Sequence, residues 1–251
     1  MEHQFIKLLL ETGENRQALG TIQDAVAHEN TQQRVIPGTV AKEAMKIEDS
    51  WLMQLLQYYN RDQPSPKVHL LRTKQQTSQS TPLTSFADTY KYALLDGRRV
   101  ISKAYARKNS AASSLIQIRW HGPKDNEPEP YTGEVQMIFQ HQQDGFANTE
   151  NTLLARIAWL IPSPDTPLRG TEHLWDDFPE LGVETWLLDQ YAPSGDTNFP
   201  PNILPLASIH CQAARGIITY TKPPLWLSTT MDRYPTSFAA YNLGTGVAMA
   251  P

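Results

Sequence analysis

Beyond Pro82 the chain is cut into short segments rich in β-branched and aromatic residues, and this segmentation constrains the fold more than any other feature. Residues 115–120 (LIQIRW), 133–139 (GEVQMIF), 153–159 (LLARIAW), 183–188 (VETWLL) and 225–229 (LWLST) are separated by clusters of Pro, Gly, Asn and Asp. Segments of this length and composition read as strands, and several of them in succession predict an antiparallel, partly closed barrel or a sandwich. No regular repeat period is visible.

The first part of the chain has a different period. Residues 17–30 carry Ala18, Ile22, Ala25 and Val26, and residues 50–60 place Leu52, Leu55, Leu56 and Tyr59 at i, i+3, i+4 and i+7, the spacing of one helix face. Asp49 or Ser50 suits the N-cap of the second helix, and Pro37-Gly38 breaks the chain between the two. Residues 61–66 (RDQPSP) and 73–82 (TKQQTSQSTP) are too poor in large apolar side chains to pack and read as a connector. The expected organisation is α+β: a helical region over 1–62, a polar linker over 63–82, a β domain over 83–235 and a flexible tail over 236–251.

Charge is distributed unevenly along the chain. Residues 1–82 hold nine basic and nine acidic side chains. From Lys91 to Lys124 there are eight basic residues against Asp96 alone, and from Asp125 to Asp196 fourteen acidic residues against Arg156 and Arg169. Two lobes of opposite sign can each steer a partner of the other sign, or pair with one another and face water. The net charge of −4 argues against wholesale coating of nucleic acid. No apolar run approaches the ~20 residues of a membrane span, so no membrane contact is expected and the chain reads as soluble and intracellular.

The candidates for chemistry are few. The single cysteine, Cys211, cannot form an internal disulfide and fits a reducing compartment. A nucleophilic thiol needs a base and an electropositive setting, and sequence neighbours such as His210 and Cys211 point to different faces of a strand or helix. Leu204, Leu206 and Ile209 have the look of a buried turn started by Pro205, so Cys211 is expected to be a packed structural residue. The seven histidines are scattered without metal-ligand spacing, and no P-loop, GxGxxG or GxSxG motif occurs. Gly244-Thr245-Gly246 falls in the tail. No catalytic residue, metal or cofactor is therefore expected.

The order of the strands carries a resemblance. Residues 94–100 (LLDGRRV), 131–139 (YTGEVQMIF) and 155–162 (ARIAWLIP), followed by 183–189 (VETWLLD), 203–213 (ILPLASIHCQA) and 225–232 (LWLSTTMD), resemble the successive motifs of bromo-adjacent homology (BAH) domains over residues 83–235. The whole chain is also similar to C-terminal regions of fungal transposon-encoded proteins, in which a helical segment precedes such a β domain.

The resemblance implies a non-catalytic interaction module of the nucleus, with the cytoplasm as alternative, bound to chromatin, a histone tail or another nuclear protein. The competing reading is a non-catalytic portion of a transposase-like enzyme, or an enzyme of unrecognised chemistry. Family members that read methylated lysine use an aromatic cage, since an alkylated ammonium is attracted to aromatic faces. By position Trp159 matches the cage tryptophan, but Leu160-Ile161-Pro162 follows it where the family has a further aromatic residue and an arginine. Tyr131, Trp120 and Trp186 are the remaining candidate walls. Arg98, Arg99, Lys103, Arg107 and Lys108, with Tyr105 among them to stack on a base, are candidates for contact with DNA. A homodimer through the N-terminal helices, with Leu8, Leu9 and Leu10 available for packing, is a further expectation.

Overall fold

The computed structural model describes residues 34–61, 67–71, 80–106, 114–122, 127–146, 152–163, 182–219 and 221–231. The expected helix over 17–30, the three leucines near the N-terminus, most of the expected linker, Arg107, Lys108 and the expected tail lie outside these residues.

Six strands close an antiparallel barrel. They are β8 (Leu115–Trp120), β9 (Glu129–Gln140), β10 (Leu153–Pro162), β11 (Glu184–Tyr191), β13 (Cys211–Ile218) and β14 (Leu225–Thr230). Hydrogen bonding runs β9-β10-β11-β14-β13-β8 and returns to β9. Closure is possible because the two longest strands, β9 and β10, each serve different neighbours along their length. On the side away from β10, β9 meets β8 through residues 129–134 and β5 (Phe86–Tyr90) through residues 138–140. On the side away from β9, β10 meets β12 (Ile203–Pro205) through Leu154–Arg156 and β11 through Leu160 and Pro162. β2 (Val40–Lys46) continues the sheet beyond β5.

Three further strands stand beside the barrel: β1 (Val35–Pro37), β6 (Tyr92–Leu95) and β7 (Arg98–Ile101). β6 and β7 form a hairpin turned by Asp96 and Gly97, at φ 49° and 75°, the conformation that makes Asp-Gly a hairpin signal. Arg34 anchors this sheet to the turn after β12. Its guanidinium donates to the carbonyls of Ala207, Ile209 and His210 and to the Asp96 carboxylate. A short parallel pair, β3 (Val68–His69) with β4 (Thr81–Pro82), is joined to the helix by Asn60, whose amide bonds the backbone of Lys67 and Val68.

The five strands expected at 115–120, 133–139, 153–159, 183–188 and 225–229 thus lie within a few residues of β8, β9, β10, β11 and β14, while the sixth barrel strand, β13, was not among them. The reading of 1–62 as a helical region needs correction, because residues 35–46 are two strands that pair with β6 and β5. Their backbone groups are satisfied by partners some fifty residues away, which local periodicity does not register. The described α-helix is α1 (Asp49–Asn60). Its N-cap is Glu48 rather than Asp49 or Ser50, and Asp49 sits in the first turn, where a carboxylate complements the helix dipole. It buries Trp51, Gln54, Leu55 and Tyr59, with Leu52 and Leu56 half-buried, so the apolar face is rotated slightly from the expected one.

The helix is part of the β domain rather than a separate region. Trp51, Leu55 and Tyr59 share a core with Phe139, Leu154 and Ile203, while Val135, Ile138, Ala155, Ile157 and Trp159 belong to the main cluster on the other face of the same two strands. Both faces of β9 and β10 are covered, which is why their apolar residues run on instead of alternating cleanly. No described helix is long and apolar enough to cross a membrane.

Candidate functional site

The expected aromatic residues separate into two environments. Trp159 is 0 % exposed, and its indole nitrogen donates to the carbonyl of Pro201 at 3.2 Å. It lies over Gly133 of β9, where a Cβ would come within 2.7 Å of its ring. Trp186 is also buried, packed with Leu160 and Trp226 and donating to Ser228 Oγ at 2.6 Å. Neither ring offers a face to a ligand, so the expectation that Trp159 and Trp186 form walls of a cage is corrected. Tryptophan has enough area to serve as a core anchor, and burial satisfied its N–H as well.

Trp120 and Tyr131, in contrast, come together at the barrel rim. Paired residues 116 and 133, 118 and 131, and 120 and 129 place one row of side chains on a single face of β8 and β9. That face is buried at Ile116 and Ile118 and emerges half-buried at Trp120 and Tyr131, with exposed Glu129 opposite Trp120. Trp120 meets Tyr131 edge to face at 5.6 Å and 82°, and Phe199 meets Tyr131 edge to face at 6.0 Å and 74°. Phe199 arrives on the loop before β12, fixed by its amide on the Asp196 carbonyl. Its part in the rim was not legible in the chain order. The acidic side chains of Glu127, Glu129 and Asp196 stand on the segments that carry these rings.

The basic segment is largely committed to intramolecular contacts. Arg99 is exposed, with its guanidinium 3.9 Å above the ring of Tyr92, and Arg98 is half-buried beside it on β7. Tyr105 is exposed at the end of a 3-10 turn over Lys103–Tyr105. Lys103 is turned toward the barrel and pairs with Glu134 of β9. The row of phosphate-contacting cations expected from the sequence is therefore broken at Lys103.

Glu134 is the centre of a network that sequence reading missed. It is 1 % exposed and accepts hydrogen bonds from Lys103 Nζ, from the Tyr191 hydroxyl at 2.7 Å and from Arg215 Nη1 at 3.3 Å. Burial alone would push its carboxyl up, but these donors and the two positive charges overcome it and hold the pKa below the usual carboxylate value. Arg215 lies 4.2 Å above the Trp226 ring, and Tyr191 meets the same ring edge to face at 6.0 Å. The only sequence signal for this network was a lone carboxylate inside an otherwise apolar strand.

Cys211 is 3 % exposed and lies on β13, beside Gln117 of β8. The turn before it holds Leu204, Leu206 and Ile209 at 0 % exposure, with Pro205 at the N-cap of a 3-10 turn over Leu206–Ser208. Among the described residues no group of three His, Cys, Asp or Glu side chains is placed to hold a metal ion. Comparison of the chain with models of protein families, with curated proteins and with solved structures finds no match.

Proposed function

We propose that this chain is a non-catalytic interaction module of BAH-like type that binds a cationic peptide segment, of the kind a histone tail presents, at the rim formed by Trp120, Tyr131 and Phe199. The observation that carries the reading is the half-buried aromatic trio itself, with Tyr131 nearly perpendicular to both Trp120 and Phe199, Glu129 opposite Trp120, and Glu127 and Asp196 on the same segments. Aromatic faces attract lysine and alkylated ammonium groups, and acidic neighbours add an attraction that salt weakens. The closed antiparallel barrel is compatible with the BAH-like reading, which takes nuclear proteins or chromatin as the class of partner. The diversion of Lys103 to Glu134 favours a peptide over duplex DNA.

The test is fluorescence anisotropy with trimethyl-lysine and unmodified histone-tail peptides and with duplex DNA, across a salt series. Peptide binding that weakens at least tenfold in Trp120→Ala and in Tyr131→Ala, with little change in Arg99→Gln, is expected. Peptide affinity unchanged by both aromatic substitutions, or binding of DNA alone with a steep salt dependence, would sink the proposal.

A further inference from the structure

A pocket of about 260 Å³ opens between α1 and the barrel, and none of the three rim aromatics lines it. Among the described residues its charged lining side chains are Arg156 of β10 and Lys103, with no aspartate or glutamate. We propose that this pocket is a binding site for the phosphate group of a small phosphomonoester, held principally by Arg156.

The argument begins with hydrogen-bonding capacity. Arg156 uses Nε to donate to Gln54 Oε1 at 3.2 Å, and among the described residues its two Nη groups meet no protein acceptor. Ser194 Oγ accepts from Gln54 Nε2 at 3.1 Å, and its own proton meets no acceptor there. The pocket thus offers N–H and O–H donors that the described residues leave unused. A phosphate oxygen set satisfies such donors, and the planar fork of an arginine matches two of those oxygens at once.

The donors are also held in place before any ligand arrives. Gln54 is 7 % exposed, and its single carboxamide bridges Arg156 to Ser194. The guanidinium lies 4.7 Å from the ring centre of the buried Trp51, so it is fixed from a second direction. A side chain immobilised by folding loses little further freedom on binding. Glu48, on the exposed turn before α1, is the acidic group that acts electrostatically on Arg156, but it makes no ion pair with it.

Charge balance points the same way. Lys103 and Arg215 together face the one negative charge of Glu134, leaving one positive charge in that cluster, and Arg156 adds another that is opposed only by the solvent-exposed Glu48. Ile157, Ala158 and Ala192 supply an apolar wall. The volume exceeds that of a phosphate ion and leaves room for a small carbon body, which is why the class is a phosphomonoester.

Inorganic phosphate and glycerol phosphate, titrated into the full chain at constant ionic strength and followed by 31P line broadening and calorimetry, test the proposal. Saturable binding is expected, tighter for glycerol phosphate, weakened at least tenfold in Arg156→Gln and several-fold in Ser194→Ala. Lys42→Gln, a substitution of an exposed cation on β2, leaves it unchanged. If Arg156→Gln does not fold, Ser194→Ala at an exposed position carries the test. Absence of saturation, or equal affinity in a folded Arg156→Gln or in Ser194→Ala, overturns the proposal. So does displacement of phosphate from the site by a short DNA duplex, since the ligand would then be a polymer backbone. Peptide binding at the aromatic rim is read separately and does not depend on these results.

Discussion

The Tyr59 hydroxyl donates a 2.8 Å hydrogen bond to Nδ1 of His141, joining α1 to the end of β9 inside the second core. The Thr84 carbonyl, 2.9 Å from Nε2, can only accept, so Nε2 carries a proton, and in the neutral ring that burial favours Nδ1 is the acceptor for Tyr59. Burial depresses the pKa of His141 despite that carbonyl contact. A histidine whose pKa falls on folding stabilises the native state above its ordinary pKa of 6.5, and that contribution is lost as pH falls below it. The His141 contribution therefore declines from pH 7 toward pH 5, opposite in sign to that of Glu184 over the same range. His141→Gln, although less stable overall, is expected to lose less stability than the native sequence between pH 7 and pH 5 in urea unfolding, and an identical pH dependence of the two proteins would rule His141 out. Tyr59→Phe is expected to cost about 1–3 kcal/mol, since it leaves Nδ1 buried without a donor.

Glu184 behaves in the opposite sense. Burial raises its carboxyl to about 7, against the pull of the Gln117 amide and the charge of Arg119. The unfolded chain releases this proton more readily, so the contribution is most favourable below the ordinary value of 4.5 and is lost as pH rises from there toward 7. Glu184→Gln is expected to stabilise the protein by roughly 1–2 kcal/mol at pH 8, allowing for solvent screening at a half-buried position, and to have little effect at pH 4. Calorimetric melting at the two pH values decides this.

Gly133 is required by the close approach of Trp159. An added Cβ would lie 2.6 Å from Ile157 Cγ2, 2.7 Å from Trp159 Cε3 and 3.0 Å from the Ala158 carbonyl. Gly133→Ala is expected to destabilise by roughly 2–3 kcal/mol, through overpacking between β9 and β10. A denaturation midpoint equal to that of the native sequence would mean that the indole moves aside freely.

The Glu134 network predicts an asymmetry. Removing both cations, as in Lys103→Met with Arg215→Met, strands a carboxylate that is 1 % exposed and is expected to cost about 3 kcal/mol or more. Glu134→Gln is expected to cost less, because the Lys103 and Arg215 side chains are 41 % and 21 % exposed and reach water. Urea unfolding of the three proteins checks the order.

What the chain order by itself determined is the set of strands whose patterns are local in character: residues 115–120 and 225–229, the cores of β9, β10 and β11, and the apolar turn before Cys211, whereas residues 94–100, read as one opening strand, are two strands turned at Asp96-Gly97. β-branched and aromatic side chains bounded by turn residues leave few alternatives there. Tertiary structure decided the rest. β1 and β2 are strands because distant edges pair with them, and the helix is amphipathic toward strands that arrive some eighty to a hundred residues later. The same holds for the site. Trp159 and Trp120 have identical side chains, and only the pairing register put one under Gly133 and the other at the rim beside a phenylalanine from a remote loop. Burial and the convergence of charges such as Lys103, Glu134 and Arg215 are properties of three-dimensional neighbours, and residue spacing along the chain does not encode them.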